Sequence, residues 1–221
     1  MSVRRAMQIA AQISQFARIW LILAVVFTDS LLFYLTHVPW NYYWLFAIAC
    51  WSLLNVYWTL AARHFAPVTG SRLHFLVFVT EFLLYCLPLS SIPVLGQQII
   101  PRFTALEMVG AFLCAFGVGL AIWARRILAG SWSPVVALPE RHALVQDGPY
   151  AIIRHPIYFG FIVSAVGMIL VLGEIRALVL VFDIGVFLNR MESEEKILRA
   201  AYPNEYPDYE RRVKRCFPYL W

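Results

Sequence analysis

Apolar residues run from Phe16 to Leu35, Tyr42 to Ala62, Leu73 to Leu95 and Leu106 to Leu128, with only scattered polar positions inside each run. Each stretch is close to the ~20 residues a helix needs to cross a hydrocarbon core about 30 Å thick. Four spanning helices are therefore predicted. A fifth run, Pro156 to Asn189, would reach about 50 Å as one helix at ~1.5 Å per residue. Gly173-Glu-Ile-Arg176 interrupts it in the middle, which predicts a hairpin. The second arm, from Ala177, is short and carries Asp183, so it is read as shallow or tilted and the count stands at five or six. The fold class is all-α: a polytopic membrane protein with a cytoplasmic loop and a C-terminal cytoplasmic helix.

Polar positions concentrate at the two ends of that hairpin. Gly148-Pro-Tyr-Ala-Ile-Ile-Arg-His-Pro-Ile-Tyr158 precedes it, and Arg190-Met-Glu-Ser-Glu-Glu195 follows it. Intramembrane and membrane-edge ionisable groups are costly unless they meet partners, and a hairpin returns both ends to one membrane face. One joint site is expected. Residues 1–105 form a first unit of transmembrane helices with little chemistry, whereas 106–221 hold nearly every polar cluster. Between Gly130 and Ile153 lies a polar, Pro-containing segment too rich in turn formers to be one helix, a cytoplasmic loop long enough to fold over a ligand.

Composition agrees with lipid as the solvent, since 61% of the 221 residues are hydrophobic and 14% charged. Charge sets the orientation. With an inside amino terminus and alternating spans, 16 of the 18 Lys and Arg fall on one side, leaving Arg102 and Arg176 on the other. That is a positive-inside pattern, placing both termini and both polar clusters in the cytoplasm: an inner membrane protein in a bacterium, an endoplasmic reticulum protein in a eukaryote. The net charge of +5 then follows from topology and from attraction to anionic membrane lipids. No nucleic-acid partner is expected. The first apolar run exceeds a signal-peptide core and lacks a small-x-small cleavage site after it, so it reads as an anchor. Cys50, Cys86, Cys114 and Cys216 share no spacing, and His142 and His155 lie 13 apart without metal-ligand spacing, so neither disulfide nor zinc is implied.

Pro156 suits the first turn of a helix, where its missing N–H is harmless. Arg154 and His155 then sit at a helix amino terminus whose backbone donors favour an anion. On the following helix Arg190 and Glu194, four apart, share a face with Ile197 and Ala201, while Glu195 aligns with Glu192 and Arg199. Glu194 is expected to face inward and Glu195 outward. An Arg-Glu pair at this spacing is often only a solvated surface feature; beside a cleft containing His155 it reads as a charged ligand site.

At these residues the chain resembles the isoprenylcysteine carboxyl methyltransferases, which share this region with phospholipid N-methyltransferases. The matching pattern runs from His142-Ala-Leu-Val145 through Gly148-x-Tyr150 and Arg154-His-Pro-x-Tyr158-x-Gly160. It resumes with Arg190, Glu194-Glu195, Tyr206, Tyr209, Val213 and Pro218. Residues 1–105 resemble the family only in being hydrophobic helices. The resemblance implies S-adenosyl-L-methionine as methyl donor, held by His142, Leu144, Val145, Tyr150, His155, Tyr158 and Glu194. It also implies a lipophilic acceptor entering from the membrane and facing Arg190. Arg190, Glu194 and Arg154 are the candidate catalytic side chains. The chain departs from the family at Val135, where the eukaryotic enzymes place a polar cofactor contact.

Transfer of a methyl group from a sulfonium to a carboxylate lets two opposite charges vanish together, which a water-poor membrane edge favours. It needs no general base. A methyltransferase acting on a phospholipid amine, or on a small lipophilic amine or thiol, is the nearest alternative; an amine would need Glu194 or Glu195 as a base. A sterol-type membrane reductase would use NADPH and is expected to bring more phosphate-binding basic residues than Arg154 and Arg141. A non-catalytic membrane protein would not require the two clusters to converge. The sequence does not indicate an oligomeric state.

Overall fold

The computed structural model describes residues 41–61, 94, 96–128 and 144–218. The described residues contain α1 (Tyr42–Ala61), α2 (Thr104–Leu128), a 3-10 turn (Gly148–Ala151), α3 (Pro156–Leu172), a second 3-10 turn (Ile175–Leu178), α4 (Val179–Ala201) and α5 (Glu205–Arg212). No strand occurs among them; two isolated bridges join Gln98 to Glu174 and Ile153 to Lys214. The all-α expectation holds. The predicted spans at 16–35 and nearly all of 73–95 lie outside the described residues.

Two predicted spans coincide with α1 and α2. Among the described residues only α2 is long and apolar enough to cross a membrane by length and composition, and α3 is a shorter apolar helix. Asn41 starts α1: its Oδ1 accepts the N–H groups of Tyr43 and Trp44 at 2.9 and 3.0 Å, satisfying donors that a helix start leaves open. Its Nδ2 donates to Glu107 at 2.8 Å, so an acid in the first turn of α2 finds a partner on the neighbouring helix.

The centre of the fold is the α2–α3 pair, held through glycine. Gly110 faces Gly167 and Gly117 faces Gly160, seven residues apart on each antiparallel helix. A Cβ at Gly160 would lie 2.5 Å from the Gly117 carbonyl oxygen, and one at Gly167 the same distance from that of Gly110. Small residues at such a crossing let the backbones approach, which is how helices gain packing energy in lipid. Trp44, Ala47 and Leu54 of α1 cover one side of the pair. Since the obstructing atoms are backbone, Gly160→Ala is expected to destabilise by about 1–3 kcal/mol or more. Gly119→Ala, with open space around it, should be neutral. Thermal unfolding of the two variants in one detergent checks this; equal midpoints would contradict the close approach.

The predicted interruption is a turn. Gly173 ends α3 with φ +62°, and its carbonyl accepts the N–H groups of Ile99 and Ile100 at 2.8 and 3.0 Å. Arg102 closes the same corner with Nη2 2.8 Å from the buried Glu174 carboxylate. After the turn the structure departs from expectation: the short arm and the acidic helix are one continuous helix, α4, from Val179 to Ala201. No proline interrupts it before Pro203, and the single Gly185 is tolerated within it.

Candidate active site

Pro156 does occupy the first turn of α3 and His155 its N-cap. The backbone donors before it, however, are not available to an anion. Arg154 N–H donates to the Lys214 carbonyl at 2.8 Å and His155 N–H to that of Arg215 at 2.9 Å. The C-terminal segment past α5 folds back and takes up these two donors.

The two polar clusters do meet. Arg190 and Glu194 share a face of α4, with Arg190 Nε 3.4 Å from Glu194 Oε1. Across from them the Tyr158 hydroxyl donates to Glu194 Oε1 at 2.5 Å, and His155 Nδ1 lies 3.8 Å from Glu194 Oε2. Glu194 keeps 29% of its side chain exposed and Arg190 31%, so both are partly open. From this polar head a row of rings descends between the helices. His155 contacts Tyr158 (centroids 5.8 Å apart), Tyr158 contacts Phe187 (5.7 Å), Phe187 contacts Phe161 (5.5 Å), and Phe161 contacts Trp58 of α1 (5.2 Å).

Glu195 reverses the expectation of an outward residue. Its side chain is 0% exposed. One oxygen accepts Arg154 Nε and Nη2 at 3.0 and 2.7 Å and lies 3.3 Å from His155 Nε2. The other accepts Arg215 Nε and Nη2 at 3.1 and 2.5 Å and Arg199 Nη2 at 3.4 Å. Burial alone would push this carboxyl upward; the bonds from His155, Arg215 and Arg154 outweigh it and hold the group well below the ordinary carboxylate range. The reason for the reversal is tertiary. Met191, Glu195, Leu198 and Tyr202 form a second inward stripe at 4-3-4 spacing, covered by α5 and the tail. Met191 is itself fully buried.

Arg154, expected among the candidate catalytic side chains, is engaged as a clamp between segments. All five of its N–H groups have acceptors: Glu195 twice, the Glu210 carboxylate and carbonyl, and the Val213 carbonyl at 2.7 Å. Its side chain is 7% exposed. Glu210 binds Arg199 as well, so α3, α4, α5 and the tail meet in one ion network.

The remaining expected cofactor residues are dispersed around this head. Tyr150 is buried against Ala124 and Ile157. Its hydroxyl donates to Ala124 O at 3.4 Å, and its own carbonyl accepts the Tyr209 hydroxyl at 2.7 Å. Burial, then the charges of Tyr209 and Glu194, push its hydroxyl upward, so it stays protonated. Val145 packs in the same cluster as Tyr150, while Leu144 packs with Tyr206, Tyr209 and Val213. His142 and Val135 lie outside the described residues. Sequence reasoning aligned Arg199 with Glu195 but missed Glu210 and Arg215, for which the signal was a basic tail one helix away from a Glu-Glu pair.

The model of the isoprenylcysteine carboxyl methyltransferase family matches residues 108–200. Over that region the chain is similar to the family. The protein-S-isoprenylcysteine O-methyltransferase of Schizosaccharomyces pombe is 34% identical over 95 residues, 41% of this chain and 40% of that protein. The cobalt-zinc-cadmium resistance protein CzcN of Cupriavidus metallidurans is 27% identical over 128 residues, 57% and 53% of the two chains. The matches thus span about half or less of these relatives. A solved eukaryotic intramembrane Ras methyltransferase, also an isoprenylcysteine carboxyl methyltransferase, superimposes with a TM-score of 0.58 at 18% identity, over 92% of this chain and 75% of that one. The overall fold of that methyltransferase is thereby shared.

Proposed function

We propose that the chain is an integral membrane methyltransferase that uses S-adenosylmethionine to methylate the carboxylate of an isoprenylated cysteine or a related lipophilic acid. One observation carries this reading: a polar head of Arg190, Glu194, Tyr158 and His155 stands at the top of an aromatic row leading into the apolar helices. A charged cofactor suits the head and a lipid chain suits the row.

The donor set fits the cofactor. Glu194 offers a partly open carboxylate for an ammonium or ribose, His155 offers a second ring nitrogen beside it, and Tyr158 fixes the carboxylate through a short hydrogen bond. When bound, the cofactor supplies an electrophilic methyl group on a positive sulfur. Arg190 orients the acceptor carboxylate. Its guanidinium is shared with Glu194, which moderates its pull on the nucleophile, so it positions without clamping. Packed rings along α3 and α4 exclude water, so opposite charges attract strongly before they cancel. The acceptor enters from the membrane, and both termini and the head face the cytoplasm, in keeping with the sixteen-to-two distribution of basic residues.

A phospholipid amine fits less well, because Arg190 would repel an ammonium and Glu195, a candidate base, is locked among three arginines. NADPH is disfavoured because Arg154 has no free donor for a phosphate. The test is transfer of labelled methyl to a prenylcysteine analogue with a free carboxylate. The expected product releases its label as methanol in base, as an ester does. Base-stable label on an aminophospholipid instead would overturn the carboxylate reading.

A further inference from the structure

The imidazole of His155 lies between two consecutive acids, and the pair are not equivalent. Glu194 faces its Nδ1 at 3.8 Å from the open side, while Glu195 faces its Nε2 at 3.3 Å from the buried side. A carboxylate held ionised can only accept. We infer that Glu195 is a positioning residue: it holds the His155 ring by its Nε2–H, leaving Nδ1 as an acceptor directed to the cofactor side, and the C-terminal segment is the latch that keeps this arrangement closed. The inference rests on the reading of the head as a cofactor site.

Arg215 gives the latch its shape. Its side chain binds Glu195 through Nε and Nη2 at 3.1 and 2.5 Å, and its carbonyl accepts the N–H of His155 at 2.9 Å. One tail residue thus grips the histidine backbone directly and its ring through Glu195. Arg154 adds a second grip, with its N–H on Lys214 and its guanidinium on both Glu195 and the Val213 carbonyl. Cys216 and Phe217 then seat the segment against Ile162, Met191 and Phe159. A tail that only sealed the surface would not need to bind both the backbone N–H of His155 and the carboxylate that meets its ring. An Nδ1 acceptor beside the Glu194 carboxylate makes a pair suited to a donor-only group such as an ammonium, which two acceptors hold better than one.

The ring can be read directly by nitrogen-15 NMR on histidine-labelled protein in nanodiscs, with the His155 signal assigned from a His155→Gln spectrum. Without any cofactor, the wild type should show a protonated Nε2 and a bare Nδ1. Arg215→Gln should mix the tautomers, weaken S-adenosylmethionine binding about tenfold or more, the scale expected when a group orienting a ligand is lost, and leave the acceptor KM within about twofold. Arg215→Lys should recover part of the affinity. Glu195→Gln should act more strongly; if it does not fold, the Arg215 pair carries the test. A protonated Nδ1 in the wild type, or unchanged tautomer and affinity in Arg215→Gln, would overturn the positioning role. Because the tautomer is measured without ligand, a wild type with the expected ring state but no S-adenosylmethionine binding would instead remove the cofactor reading.

Discussion

Arg190→Lys lowers carboxylate methylation by about 100-fold or more while S-adenosylmethionine affinity stays within about threefold. The substitution keeps the positive charge beside Glu194, and the short Tyr158 bond continues to fix that carboxylate, so the cofactor side is undisturbed. What is lost is the planar fork, which an ammonium cannot reproduce at the same depth. A factor of 100 corresponds to about 2.7 kcal/mol, the magnitude expected of a group that aligns a reacting carboxylate. Initial rates at saturating cofactor, with the prenylcysteine analogue varied, measure it. Full retention of methylation would remove Arg190 from the acceptor site.

Glu194→Ala is expected to weaken S-adenosylmethionine binding by about 10- to 150-fold, the equivalent of one charge-assisted hydrogen bond of about 1.5–3 kcal/mol. The carboxylate is partly open and already held by Tyr158 and Arg190, so little reorganisation dilutes the loss. His155→Ala should weaken binding as well. Glu195→Ala behaves differently. It leaves the guanidinium groups of Arg154, Arg199 and Arg215 facing a buried void, so its dominant effect is instability on the scale of about 3–5 kcal/mol, as when one partner of a buried ion pair is removed. Titration of folded Glu194→Ala, alongside thermal unfolding of both variants, separates the two consequences.

The legible part of this protein was what local pattern dictates. Runs of apolar residues predicted α1 and α2, Gly173-Glu-Ile-Arg176 predicted the turn, and Pro156 predicted the start of α3. Arg190 and Glu194 were placed together because four residues make one helical turn. What was hidden around Glu195 and Arg154 shares a cause: it depended on α5 and the tail. Glu195 looked outward because its helical neighbours Glu192 and Arg199 are polar, and no local signal revealed that α5 and residues 213–217 cover the Met191–Tyr202 stripe. The partners of Arg154 were equally hidden, because its acceptors are 41 to 59 residues away. Glycine pairs at 110/117 and 160/167 were present in the sequence at matching seven-residue spacing and carry the close approach of α2 and α3, a signal that helix length and hydropathy leave unread.

Equilibrium binding of labelled S-adenosylmethionine to the purified chain in nanodiscs, wild type beside Glu194→Ala, tests the central claim most directly. Saturable one-to-one binding to the wild type, weakened at least tenfold by Glu194→Ala in protein with unchanged thermal stability, is the predicted result. Absence of saturable binding, or identical affinity in the two proteins, would contradict a cofactor site at the head of the α3–α4 hairpin.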